Sequence, residues 1–299
     1  MRIHSVCVIK NEGDIIGQSL TAAANWSDFI YVLDNGSTDG TWEKVLDLSY
    51  RLRQVVPFRR EDGPFDDALR AEIFKHYRQQ SVPGDWWCKL DADEFYIDSP
   101  REFLARVPAP YDNVWSASFQ YYLTEKDRAR FVENPALYGD DVPVGQKCRY
   151  YLNNWSELRF FKYSDRISWS QYVPDLLMRA YPQRIRLKHY QYRSPQQIER
   201  RLVTRQPAMQ RGVAFAHEAS QNWANRILGQ RGDGQGSERV ARTLGSPIPW
   251  TDRLVDSSKL RYDDGSNYVI TEDLLPKMRN PRFPLLSRVK HQLSRLSPR

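Results

Sequence analysis

Residues 91–94 read Asp-Ala-Asp-Glu, directly after the apolar run Trp86–Leu90 and before the aromatics Phe95 and Tyr96. Two carboxylates two residues apart point the same way if a strand continues through them. Held that close, they repel unless a positive charge lies between them. Mg²⁺ and Mn²⁺ are suited to the place, because hard cations take oxygen ligands. A metal bound there can grip a diphosphate. Two further polar clusters end apolar runs, Lys10-Asn11-Glu12 after 3–9 and Asp34-Asn35-Gly36-Ser37-Thr38-Asp39-Gly40 after 29–33.

The elements that must position these groups follow from periodicity. Runs 3–9, 29–34, 53–58 and 86–91 are rich in β-branched and aromatic residues and predict strands. Helical spacing starts at Asp14 and near Thr41. It is strongest over 65–80, where Phe65, Leu69, Ile73 and Tyr77 recur every four residues. This β-α-β-α-β-α-β order predicts an α/β fold with a mostly parallel, doubly wound sheet flanked by helices. Such sheets bind ligands at the carboxyl ends of their strands, where the three polar clusters fall. Further on, 113–123 alternates and predicts a half-exposed strand. Residues 124–157 read as irregular, 158–163 and 184–192 as strands, and 194–206 as a helix capped by Ser194 with Pro195 in its first turn. Residues 229–247 read as a loop. The expected division is 1–215 as the main domain, split into 1–98 and 99–215, with 216–299 as a C-terminal helical extension.

Composition narrows the class. The 299 residues are 40% hydrophobic and 27% charged, which suits a folded chain and not a disordered one. The formal charge of +7 favours acidic partners. Lys and Arg are scattered, however, and the acids sit at the expected ligand edge, so a nucleic-acid-binding module is disfavoured. The three cysteines are far apart and form no C-x-x-C, as in a reducing compartment. No run approaches a membrane span. The start of the chain is too polar for a signal peptide. The expectation is a cytoplasmic protein.

"SVCVIKNEGDII", "VLDNGSTDGT" and "LDADEFY", in that order, resemble the family 2 glycosyltransferases of the GT-A fold. "HYQYRSPQQIERR" is similar to a bacterial family-2-like subgroup with an HY…RS segment. The resemblance covers residues 3–96 and, more loosely, 185–205. It implies transfer of a sugar from a nucleotide-sugar donor, with Mn²⁺ or Mg²⁺ on the donor diphosphate. Lys10, Asn11 and Glu12 would lie along the nucleotide. Asp34 would accept a hydrogen bond from the base, uracil in many relatives, so a UDP-sugar is favoured. Relatives often carry an acid where Asn35 stands. Arg70 matches a helix arginine that approaches the diphosphate. Asp91 would contact ribose or metal, Asp93 would ligate the metal, and His189 would be a third ligand or a diphosphate contact. Arg193 and Lys188 would neutralise the leaving diphosphate. An inverting reaction also needs a carboxylate base from the acceptor half. Asp175 and Glu157 are the candidates, with Asp175 preferred; a retaining reaction needs none. The implied acceptor is a glycan or lipid-linked glycan in bacterial cell-surface polysaccharide or lipopolysaccharide synthesis.

Two other readings share the acid motif. A phosphatase-like hydrolase would need a further acid pair, which "YDDG" (262–265) can supply, but it does not explain "DNGSTDG". A catalytically inactive sugar-binding relative is the other. The tail "PLLSRVKHQLSRLSPR" (284–299) spaces Leu285, Leu286, Val289, Leu293 and Leu296 near helical intervals among Arg288, Lys290, Arg295 and Arg299. That pattern predicts a peripheral attachment to anionic membrane at about 1 kcal/mol per basic residue. The full chain should therefore co-sediment with anionic vesicles at low salt, and a chain ending at Arg282 should not. Equal binding by both removes the tail from this role.

Overall fold

In the computed structural model, residues 1–63, 65–170, 172–175, 177, 179–210, 223–228 and 248–271 are described. The expected loop 229–247 and the tail lie outside them.

Strand β1 (Ile3–Ile9) is buried along its whole length, because helices cover both of its faces. Ile3, Cys7 and Ile9 pack toward helix α1 (Ile16–Ala24) and helix α2 (Thr41–Arg51). Val6 and Val8 pack toward helix α3 (Ala68–Tyr77), through Leu69, Ile73 and Phe74. The alternation is the period of two expected of a strand. Strands β2 (Phe29–Asp34), β3 (Val55–Arg60) and β4 (Trp86–Leu90) complete a parallel unit in the order β4-β1-β2-β3. This is the doubly wound arrangement expected from the sequence, with its switch point between β1 and β4.

Beyond β4 the sheet becomes antiparallel and curls. β4 pairs with β8 (Leu158–Lys162), which pairs with β6 (Asn113–Tyr122). Strand β7 (Tyr150–Trp155) continues along the same edge of β6. Between β7 and β8 the ladder is broken, and the Ser116 N–H donates to the Glu157 carbonyl at 2.8 Å. Strand β9 (Ile185–His189) pairs with β6 in parallel and with β5 (Glu94–Tyr96) antiparallel. The chain thus leaves the parallel unit at Leu90 and joins the β5-β9-β6 unit at Glu94. The turn between them is Asp91-Ala92-Asp93.

Three expectations are corrected. β4 stops at Leu90, so no strand runs through the two aspartates; the Glu94 N–H closes a turn on the Asp91 carbonyl at 3.2 Å. Strand β6 is buried at all but one position, because it lies between β7/β8 and β9 rather than at an edge. Residues 124–157 are not irregular. Helix α5 (Glu125–Glu133) opens on a reciprocal Thr124/Asp127 capping box, and β7 follows. Of two short helices, α4 (Pro100–Ala105) adds Phe103 and Leu104 to the core on the α1/α2 side, and α6 (Val144–Lys147) precedes β7.

The second half is tied to the first by helix α7 (Pro195–Gln210), which follows β9. The described C-terminal part adds helix α8 (Trp223–Ile227) and strand β10 (Arg261–Tyr262), which pairs with β7. Asp263 fastens it: its carboxylate accepts from Tyr121 Oη (2.5 Å), Tyr268 Oη (2.6 Å) and Lys188 Nζ (3.0 Å). Among the described residues, no helix is long and apolar enough to cross a membrane.

Candidate active site

The acid turn lies at the carboxyl ends of β1 and β4, and its charges are shared between two sets of partners. Asp91 faces the first. One carboxylate oxygen accepts from Arg70 of α3 at 2.6 Å and the other from Arg159 of β8 at 3.0 Å. Arg70 also reaches Asp67 at 2.5 Å. Arg159 is fully buried and additionally pairs with Glu94 at 2.5 Å and Glu157 at 3.1 Å. Burial by itself would raise the Asp91 carboxyl; Arg159 and then Arg70 outweigh it and hold Asp91 well below the usual carboxylate range. Burial pushes Glu94 upward, with Arg159 opposing. Lys89, next in the strand, is lowered to about 8, first by burial and then by Arg70. Its ammonium sits 3.9 Å from the centre of the Tyr172 ring.

Asp93 faces the second set. Its Oδ1 is 3.2 Å from His189 Nε2, across the Glu94↔His189 register of β5 and β9, and Oδ2 is 4.0 Å from Arg201 of α7. Burial would lower His189, but Asp93 raises it to about 9, so the pair is ionised at neutral pH. Close behind, Arg193 is fully buried and donates twice to Asp14, at 2.6 Å each, and to Glu12 at 2.5 Å. These bonds clamp the start of α7 to the segment between β1 and α1.

The structure therefore gathers Asp91, Asp93, His189, Arg70, Glu12 and Arg193 at one sheet end. Glu157 joins them, since it stands at the β7–β8 break with Oε2 on Arg159 and Oε1 accepting from Trp155 Nε1 at 2.7 Å. Asp175 is held differently: its carboxylate accepts from Ser168 Oγ at 3.1 Å, which closes the 168–175 loop. Lys188 points to the other face of β9, to Asp263. Lys10 directly follows β1 and is half-buried.

The other two polar clusters largely hold each other. Asn11, in the left-handed region at φ 56°, accepts from the Thr38 N–H at 2.8 Å and donates to Thr204 of α7 at 3.1 Å. The Gly13 N–H donates to Asp39 and the Glu12 N–H to Thr41. Gly36 has φ 77°, in the left-handed region that favours glycine, and a Cβ there would press on the Asp62 carboxylate. Asp34 is fully buried. Its Oδ1 accepts from the Ser37 N–H at 2.7 Å, while its Oδ2 and the adjacent Asn35 Oδ1 are buried acceptors without a hydrogen-bond partner among the described residues.

Sequence reasoning missed Arg159, Lys89 and Arg201. Arg159 had a signal: an arginine inside the apolar strand "LRFF" must be buried with counter-charges. Which carboxylates those are depends on strand pairing.

For a divalent ion, Asp93 Oδ1 and His189 Nε2, 3.2 Å apart, are spaced as neighbouring octahedral ligands at about 2.1 Å, which lie roughly 3.0 Å apart, provided the ion displaces the imidazolium proton on binding. Asp91 is committed to its two arginines. Among the described residues no three His, Cys, Asp or Glu side chains are assembled around one metal position. Mg²⁺-type sites commonly use only one or two protein ligands, with substrate phosphate and water supplying the rest.

No family model matches the chain, and no curated protein matches it. Solved structures do. The mannosyltransferase PcManGT from Pyrobaculum calidifontis, in complex with GDP-Man and Mn²⁺, is 13% identical over 97% of this chain and 86% of that one, with a TM-score of 0.38. S. aureus TarS 1–349 is 11% identical over 76% and 71%, at 0.34. Glucosyl-3-phosphoglycerate synthase from Mycobacterium tuberculosis is 18% identical over 54% and 56%, at 0.27. Against a longer S. aureus TarS structure the chain spans only 22% of that chain's length.

Two outcomes follow from this geometry. Arg193→Ala should lower unfolding stability by about 3–5 kcal/mol in urea titrations, because it strands buried Asp14 beside Glu12. Wild-type stability together with weakened ligand binding would instead assign Arg193 to the ligand. His189 has a folded pKa of about 9 against an ordinary 6.5, so the stability of its pair with Asp93 is complete below pH 6.5 and lost as pH rises through 9. The Asp93 carboxyl is held low and stays ionised throughout that window. The stability gap between wild type and His189→Gln should be on the order of 3 kcal/mol near pH 6 and close as pH passes 9. A gap that does not change with pH would mean the pair is not ionised.

Proposed function

We propose that this chain is a metal-dependent glycosyltransferase of the GT-A kind that moves a sugar from a nucleotide-sugar donor to an acceptor hydroxyl. The observation that carries the reading is the acid turn: Asp91-Ala92-Asp93 stands at the switch point of the parallel unit, with Asp93 beside His189 and Asp91 between two arginines. A site with this mixture of charges suits a diphosphate bridged by a cation. The three sequence motifs quoted above support the same conclusion.

Asp93 and His189 would hold Mn²⁺ or Mg²⁺. When bound, the ion would offset charge on the leaving diphosphate. Arg70 and Lys89 lie on the Asp91 side and Arg201 on the Asp93 side, so cations flank the acids from both directions. The buried free acceptors of Asp34 and Asn35 suit the N–H donor of a nucleobase such as uracil. For the acceptor hydroxyl we favour Glu157 over Asp175 as the base. Arg159, and less strongly Lys89, keep Glu157 ionised despite burial, and it shares Arg159 with Asp91. A glycan acceptor in cell-surface polysaccharide synthesis and contact with an anionic membrane through the tail complete the proposal.

Asp93→Ala should keep the wild-type circular dichroism spectrum while losing Mn²⁺-dependent UDP affinity at least tenfold by calorimetry, and losing transfer. Near-normal turnover of the variant in chelator-treated buffer restored with Mg²⁺ would refute the metal assignment.

A further inference from the structure

Along one face of β9, every second residue is basic: Arg186 and Lys188, with Arg184 just before the strand. Two of the three have counter-charges. Arg186 makes a fork with Asp98, at 2.6 Å for the closest contact, and Lys188 pairs with Asp263 at 3.0 Å. Arg184 has no carboxylate among the described residues. Its Nε is buried without a hydrogen-bond partner, its Nη1 reaches only the Tyr181 carbonyl at 3.4 Å, and its guanidinium lies 5.9 Å from the Trp115 ring. Burial, with no opposing acid, lowers it to about 10. Arg184 is half-buried, so water still reaches part of its guanidinium; a partly desolvated cation with no acid beside it is placed to gain from an anion that arrives from outside.

Arg184 also opens onto a cavity of about 480 Å³, lined with Arg106, Arg186, Asp98, Phe103 and Tyr268 among others. Arg106 lies just beyond α4, and among the described residues its guanidinium donates to the Glu102 carbonyl alone, at 3.1 Å. Three guanidiniums against one carboxylate leave two positive charges uncompensated in a space the size of a small-molecule site. Phe103 and Tyr268 line the same space as apolar contacts. The cavity is not part of the acid site. Arg184 and His189 sit at opposite ends of β9, five residues apart, which is roughly 16 Å along a strand.

We propose that this cavity binds an oxyanion carried on a sugar-sized molecule, with Arg184 and Arg106 as the anion contacts and Phe103 and Tyr268 against the body of the ligand. The assignment stands independently of the donor site.

Calorimetric titration of the full chain with glucose 6-phosphate, glucuronate and glucose tests it. Glucose 6-phosphate should bind, and neutral glucose at least tenfold more weakly. Arg184→Gln and Arg106→Gln should each weaken the phosphosugar about tenfold, as expected for loss of a charge-assisted contact, and leave UDP affinity unchanged. Arg106 is exposed, so its variant reads out binding even if replacement of Arg184 harms folding. Binding of glucuronate alongside the phosphosugar would show that anionic charge suffices; a silent glucuronate would show that phosphate geometry is required. Either result fits the site. It is overturned if wild type gives no heat with glucose 6-phosphate, if Arg106→Gln binds as wild type does, or if Arg70→Gln abolishes the signal, which would place the anion in the acid site.

Discussion

Everything at the carboxyl end of the sheet depends on how Asp91 and Asp93 are kept ionised while largely out of water, with Glu94 beside them pushed toward its neutral form by burial. Asp91, Asp93 and Glu94 would repel one another strongly in a shielded position, and the chain answers by importing cations from four other elements. Arg70 comes from α3, Arg159 from β8, His189 from β9 and Arg201 from α7. Each of these elements must therefore dock correctly for the turn to be tolerated. Buried ion pairs of this kind add little net stability, because desolvation offsets their attraction. What they supply is geometry: a polar constellation whose side chains are already oriented.

The turn is also where the architecture changes. Four parallel strands end and the chain crosses to the β5-β9-β6 unit within three residues. A tight turn between two parts of the curled sheet leaves its side chains on neither face, so one aspartate is directed to the parallel unit and the other to the β5-β9-β6 unit. This is why Asp91 and Asp93 have separate partners although they are nearly adjacent. Arg193 then secures the far side of the crossing, joining α7 to the β1–α1 segment through Asp14 and Glu12. The Asn11–Thr38 and Gly13–Asp39 bonds do the same for the first two strand ends. Much of what is polar at these ends serves to hold loops together, and the groups left unpaired, Asp34 Oδ2 and Asn35 Oδ1, stand out against that background.

The parallel unit was legible from the residues alone, and so was the clustering of the polar strand ends at one edge of it. Fully apolar runs alternating with amphipathic segments allow few arrangements other than strands covered on both faces, and three polar clusters at successive strand ends must then share one edge. Turn chemistry at 35–40 was legible in the same way, with Gly36 in the left-handed region, whereas the Thr124/Asp127 box shows a helix start within a segment whose Pro and Gly content masks it. Tertiary structure alone decided the rest. Strand termination at Leu90 depends on which neighbour the next residues pair with, and no local pattern shows that Glu94 pairs with His189, ninety-five residues on. The burial of β6 depends on having strands on both of its edges. Arg159 and Arg193 looked alike as charges in the sequence. Their placement opposite Asp91 and Asp14 arises from long-range pairing, and that pairing, through the cost of an unmatched buried charge, decides which acids are held by structure and which remain for a ligand.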